Sequence, residues 1–309
     1  MAANTIILFP GQGAQHVGMG KAWAEKFDVA RETFEQADAV LGLELSKVCF
    51  EGPEDQVTRT DIAQAAIYTT SVACCRALME IGELSADDIA ATAGLSLGEY
   101  TALHCAGAFS FEDGLMLVRQ RGTFMQEAAE AAPSGMVALI GADEQQARAL
   151  CDEARGDGPE SVLVPANFNC PGQVVVSGST DACERALAVA EKMQLRATAL
   201  TVAGAFHSPL MQPAADRMAE ALNKAEWSQP KCTVMSNVSG KPHDSQIESI
   251  KQLLVDQIVK PVRWSDDVQW LIAHHPGARF VEPAPGKVNA GLMRRIDRKT
   301  KVENHAEPG

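Results

Sequence analysis

The chain has 309 residues, 46% of them hydrophobic, enough to bury a large core in one big domain with an insertion or in two domains. Its 40 acidic against 27 basic residues give a formal charge of −13, which argues against nucleic acid or an anionic membrane as the main partner. No apolar stretch approaches the ~18 residues of a membrane span, no basic-then-apolar leader opens the chain, and the eight cysteines include no C-x-x-C pair or zinc-spaced histidine, so a cytoplasmic protein with free thiols and no metal is expected.

Residues 5–9 predict a strand that enters the loop Pro10-Gly11-Gln12-Gly13-Ala14-Gln15, followed by a helix over 19–34. Strand, glycine-rich loop and helix in that order invite a nucleotide reading. The spacing rejects it, because the third glycine of G-x-G-x-x-G would fall at His16 and no G-x-x-x-x-G-K-[ST] is present. A second helix is expected over 64–81.

An apolar run then leads into Gly94-Leu95-Ser96-Leu97-Gly98, and helical composition resumes at 99–106. Glycines on both sides of a serine let a strand turn sharply into a helix, exposing the hydroxyl and aiming the next N–H at a developing oxyanion. Ser96 is therefore a candidate nucleophile for acyl transfer, the alternative being a plain Gly-Ser turn. A long amphipathic helix is expected over 111–131, and it places Arg121 in the apolar arc with Leu117, Val118, Phe124 and Met125. A guanidinium there needs an anion, which is either an internal Asp or Glu or the carboxylate of a ligand.

From Met136 the texture changes to β-α-β-β-α-β. The strands are expected at 136–140, 161–164, 173–177 and 198–202, with helices opened by capping boxes at Asp143/Gln146 and Asp181/Glu184. That order predicts a ferredoxin-like subdomain at residues 132–199, inserted into a larger α/β domain made of residues 1–131 and 200–309. The larger domain resumes with a strand at 232–236, a helix at 246–258 and a strand at 279–281.

A serine nucleophile needs a base, and His207, after a predicted strand and before Pro209, is the best-placed histidine unless it is a satisfied structural one. His104 lies two turns along the nucleophile's own helix, His243 in a polar turn, His274 and His275 at a helix end, and His305 in a frayed tail. Lys287, Arg294, Arg295, Arg298, Lys299 and Lys301 form a basic cluster that is either a solvated helix face or a dock for an acidic protein.

Six phrases occur in order: Pro-Gly-Gln-Gly-Ala-Gln (10–15), Gly-Leu-Ser-Leu-Gly-Glu-Tyr (94–100), Arg-Gly-Thr-Phe-Met-Gln (121–126), Asn-Phe-Asn-Cys-Pro-Gly-Gln (167–173), Ala-Phe-His-Ser-Pro-Leu-Met (205–211) and Pro-Gly-Lys-Val (285–288). Together they resemble the malonyl-CoA:acyl carrier protein transacylases over about residues 5–297. The resemblance implies an α/β-hydrolase-like large domain with the ferredoxin-like insertion. It also implies transfer of a malonyl group from malonyl-CoA to the phosphopantetheine thiol of acyl carrier protein, for fatty acid or polyketide synthesis, with no cofactor.

Carried over position by position, Ser96 would be acylated and His207 would act as base and then acid. The backbone N–H groups of Gln12 and Leu97 would form the oxyanion hole, and Arg121 would bind the malonyl carboxylate. Gln257 would orient His207 through its backbone carbonyl, leaving a Ser-His dyad without a carboxylate. Asn169, Phe206 and Met125 would line the site, although a strand-end turn is an equal role for Asn169. Phe206 and Leu97 resemble the malonyl-selective pattern.

One departure is Leu95, where the family usually has histidine. A serine thioesterase or esterase with the same elbow competes, but an apolar acyl pocket gains nothing from Arg121. A catalytically silent carrier-docking subunit would not need Ser96 and His207. The sequence does not fix the oligomeric state; a monomer is the favoured expectation.

Overall fold

Every side chain of β1 (Thr5–Phe9) is buried, as a parallel strand covered on both faces requires. The computed structural model describes residues 4–158 and 161–309. The other strands are β2 (Ile89–Gly94), β3 (Ser134–Ile140), β4 (Leu163–Cys170), β5 (Gln173–Ser179), β6 (Arg196–Ala199), β7 (Thr233–Ser236), β8 (Lys241–Pro242), β9 (Arg279–Pro283) and β10 (Val302–His305). The larger sheet has the order β10-β9-β1-β2-β7-β8, parallel except at β8.

Side chains of a strand alternate between faces, and β1 uses both. Ile6 and Leu8 join Trp264, Val268 and Leu271 in one apolar cluster, whereas Ile7 and Phe9 join Tyr68, Leu115 and Val118 in another. Each such side chain contributes about 1.5–3 kcal/mol by leaving water. The helix Thr60–Glu80 is buried around its whole girth, so other elements must enclose it, and the helix Phe111–Ala131 packs along it.

The smaller sheet has the order β4-β5-β3-β6 with every neighbour antiparallel. With the helices Glu144–Ala154 and Thr180–Lys192 it forms the expected ferredoxin-like unit beside the α/β-hydrolase-like one. The two units are stitched together. Phe168 N–H donates to Val262 O and Val262 N–H to Ala166 O, both at 2.8 Å, while Met136, Ala166 and Val175 belong to the same apolar cluster as Tyr68 and Leu115.

Several local expectations are corrected. The single helix over 19–34 is two, Lys21–Lys26 and Asp28–Leu41, parted at Phe27, whose extended backbone (φ −128°, ψ 124°) lets its ring stack on Trp23 at 5.6 Å. The Asp143/Gln146 box closes both of its hydrogen bonds, at 2.7 and 3.0 Å. The Asp181/Glu184 box does not form, because the helix begins at Thr180 directly after β5 and Asp181 is already in its first turn. The strand expected at 161–164 is β4, reaching Cys170, and that expected at 198–202 is β6, ending at Ala199. His305 is not frayed: residues Val302–His305 pair with β9 as the sheet's edge.

Candidate active site

β1 and β2 pair in a register that sets Phe9 beside Gly94, so the loops leaving their carboxyl ends stand together, where crevices form in open parallel sheets. Leu95 N–H donates to Phe9 O at 3.1 Å. Gly11 backs onto this turn so closely that a Cβ would lie 2.3 Å from Leu95 O, and a Cβ on Gly94 would lie 1.8 Å from the Gly98 carbonyl carbon. Those glycines allow the tight turn that leaves Ser96 at φ 53°, a left-handed conformation costing about 1–3 kcal/mol. The neighbours hold it there. Ser96 N–H donates to Asn237 Oδ1 at 2.6 Å, and Gln257 Nε2 donates to Ser96 O at 3.0 Å.

The Ser96 hydroxyl lies 2.9 Å from His207 Nε2, and His207 Nδ1 lies 2.6 Å from the Gln257 backbone carbonyl. A carbonyl can only accept, so Nδ1 carries the proton and Nε2 turns its lone pair toward Ser96. Burial, and after it the positive charge of Arg121, push His207 down to about 4, against the opposing bond to Gln257. His207 is therefore neutral around pH 7.

Arg121 is 1% exposed. Its Nη1 donates to Gln64 Oε1 at 2.7 Å, and its Nη2 donates to Gln257 Oε1 and to the Ser96 hydroxyl, both at 2.9 Å. Among the described residues no carboxylate, the internal partner that an arginine in an apolar arc could have met, bonds to it. All three acceptors are neutral oxygens, and the Nε–H has no partner among the described residues. Burial lowers its pKa, while Tyr100 and Glu99 oppose that shift.

Ser96, His207 and Arg121 open onto a cleft of about 700 Å³ between the two sheets. Gln12, Leu97, Met125 and Phe206 line it, and Asn169 enters from β4. Asn169 sits at a register irregularity one residue before the end of β4, and among the described residues its side-chain oxygen is buried without a partner. Among the described residues neither the Gln12 N–H nor the Leu97 N–H donates to a protein acceptor, so both remain open to a ligand. Gln257 stands behind the cleft, reaching Ser96, His207 and Arg121 at once. Leu95 lines the cleft and packs toward the apolar cluster of Trp264, taking no part in these hydrogen bonds except through its backbone.

The sequence model of the acyl transferase domain family matches residues 6–303. The chain belongs to that family. This acyl transferase is 40% identical to the malonyl CoA-acyl carrier protein transacylase of Bacillus subtilis over 307 residues, 99% of the chain and 94% of the relative. The structure of an acyl-carrier-protein S-malonyltransferase from Bartonella henselae superposes with a TM-score of 0.92 at 40% identity, covering 97% of this chain and 95% of that one. A malonyl-transacylase solved in complex with a type II PKS acyl-carrier protein superposes with a TM-score of 0.93 at 36% identity, covering 99% and 96%.

Four residues of the acyl transferase's site were not singled out by sequence reasoning: Gln64, Glu99, Asn237 and His243. Gln64 carries no local signal beyond a polar side chain at the start of an apolar stretch, and Asn237-Val238-Ser239-Gly240 reads as an ordinary turn. His243, expected in a polar turn, has its side chain buried, with Nε2 2.7 Å from Glu99 Oε1. His104 stays away from Ser96 as expected, its Nδ1 3.1 Å from Phe109 O. In the basic cluster, Arg295 donates to Gln173 Oε1 at 3.2 Å while Arg294 is exposed. Among the described residues no cluster of His, Cys, Asp or Glu is arranged to hold a metal ion, and no helix is long and apolar enough to cross a membrane.

Proposed function

We propose that this acyl transferase moves a malonyl group from malonyl-CoA to the phosphopantetheine thiol of acyl carrier protein, through a malonyl ester of Ser96. The observation that carries the reading is Arg121, a buried cation beside the nucleophile with no carboxylate against it among the described residues. Its free Nε–H and the Nη2 that now bonds Ser96 form one edge of the guanidinium, suited to two parallel bonds with a carboxylate.

Ser96 Oγ attacks the thioester carbonyl as His207 Nε2 takes its proton. The tetrahedral oxyanion accepts from the N–H groups of Gln12 and Leu97, each such donor contributing roughly 2.7–4 kcal/mol to lowering the barrier. Collapse breaks the C–S bond, and His207 returns the proton to the departing thiolate. The carrier's thiol then repeats the sequence in reverse, leaving free Ser96. Coenzyme A enters as part of a substrate, and this route needs neither a metal nor a resident cofactor. Extender-unit supply for fatty acid or polyketide synthesis in the cytoplasm is the matching cellular role.

Incubation with malonyl-CoA and holo acyl carrier protein, followed by mass measurement of the carrier, tests the reading. Malonyl on the carrier's phosphopantetheine is the expected result. Accumulation of free malonate with an unmodified carrier would make the protein a thioesterase.

The electrostatics also predict a pH signature. His207 works as a base only while neutral, so kcat/KM should hold on the neutral side and fall as pH drops through about 4. A bound malonyl carboxylate offsets the Arg121 charge that depresses His207, so the acidic limb of kcat for acylation should lie at higher pH than that of kcat/KM. Coincident limbs would show that Arg121 does not face the substrate carboxylate. The same depressed pKa makes His207 a destabilising influence as pH falls from 6.5 toward about 4, since only the unfolded chain takes up that proton there.

A further inference from the structure

Glu99 lies in the first turn of the helix Gly98–Cys105 that Ser96 introduces, and it is fully buried. A carboxylate in that position needs donors on both oxygens. Its Oε1 accepts from His243 Nε2 at 2.7 Å, and its Oε2 from Gln257 Nε2 at 2.6 Å and Asn237 N–H at 3.1 Å. The His243 side chain is 2% exposed, and its backbone is anchored by an N–H bond to Val234 O at 2.8 Å.

The partners of Glu99 are the groups that hold the reacting residues. Gln257 offers its backbone oxygen to His207 and its side-chain oxygen to Arg121, so its amide must present oxygen to the guanidinium and nitrogen to Glu99. A reversed amide would set a donor against Arg121 and an acceptor against Glu99. Asn237, whose N–H Glu99 accepts, takes the N–H of strained Ser96 on its side-chain oxygen.

From this geometry we propose that Glu99, held by His243, is a positioning residue for malonyl transfer, acting through Gln257 and Asn237 on Arg121, His207 and Ser96. The pair touches no substrate atom. It sets the direction of the Gln257 amide, and with it the guanidinium that receives the acyl carboxylate, so its loss should weigh on malonyl more than on acetyl donors. This inference rests on the malonyl reading of Arg121.

The test compares the native chain with His243→Met, which removes the donor at similar volume, His243→Gln, which restores one at about the same reach, and Glu99→Gln. KM and kcat are measured for malonyl-CoA and acetyl-CoA with holo carrier, alongside thermal midpoints. His243→Met and Glu99→Gln should raise KM for malonyl-CoA about tenfold or more and narrow the malonyl-to-acetyl preference, with kcat falling less. His243→Gln should recover most of the preference.

A folded His243→Met with unchanged malonyl KM and preference overturns the proposal. So does an equal loss with both donors that tracks lost folded protein, since that is a purely structural effect. Should His243→Met not fold, His243→Asn, whose amide is too short to reach Glu99, decides on the same ratio. Failure of the native chain to transfer malonyl would instead overturn the reading on which the proposal rests.

Discussion

Ser96→Ala is expected to abolish covalent loading by malonyl-CoA and to lower turnover on the order of 10⁴-fold or more, as removal of a nucleophile does in enzymes that work through an acyl-serine. The fold should survive. The bonds that hold position 96, to Asn237 Oδ1 and from Gln257 Nε2, use its backbone, and alanine meets no greater conformational penalty at φ 53° than serine does. What disappears is the oxygen that lies 2.9 Å from His207 Nε2. Intact-protein mass after brief exposure to malonyl-CoA without carrier gives the answer directly. The native chain should gain one malonyl group and Ser96→Ala none, and an adduct on the variant would place the nucleophile elsewhere. His207→Ala should load the same serine slowly, because the site then has an oxyanion pocket but no base.

The second large effect is expected from Arg121→Ala. Truncating one partner of a buried charge-assisted pair costs about 2–5 kcal/mol, which corresponds to a drop in malonyl kcat/KM of roughly 30- to 5,000-fold. Acetyl-CoA, with no carboxylate to be held, should lose little and become the competitive donor. Part of the change will fall on stability, because the Gln64 and Gln257 side-chain oxygens lose their donor in a buried site. Selectivity between the two donors separates the effects, since a stability loss lowers both rates alike. An unchanged ratio would remove the carboxylate assignment. Arg121→Lys should not restore malonyl transfer, because one ammonium cannot bond Gln64, Gln257 and a carboxylate edge together.

The reacting residues were legible because each is announced by local chemistry. Ser96 has the flanking glycines that its turn needs, and Arg121 is a charge where the helical wheel allows none. Gln257 shows the limit. Its backbone role came through the resemblance, whereas its side chain, which joins Ser96, Glu99, Asn237 and Arg121, is fixed by an approach of residues 158 and 161 positions away that no local pattern encodes. The burial of the His243 side chain in its polar turn was not legible for the same reason. Lys241-Pro242-His243-Asp244 is polar enough for a surface turn, and only the partnership with Glu99, 144 positions away, makes its burial affordable. The β-α-β-β-α-β order of short elements revealed the smaller sheet, but β10 was missed because Val-Glu-Asn-His carries no apolar run. It is an edge strand held largely by backbone pairing with β9.

The stitching of the two sheets bears on how the molecule comes apart. Met136, Ala166 and Val175 sit on the smaller sheet but pack in the larger unit's core, and Val262 exchanges two backbone bonds with β4. Pulling the insertion away would expose apolar surface on both sides and orphan those bonds, so the two units should melt in one cooperative transition rather than in sequence. The same coupling restricts evolution of specificity. Grafting the insertion from a relative would also replace part of the larger unit's core, so acyl preference is more readily changed one wall residue at a time than by exchange of the whole unit.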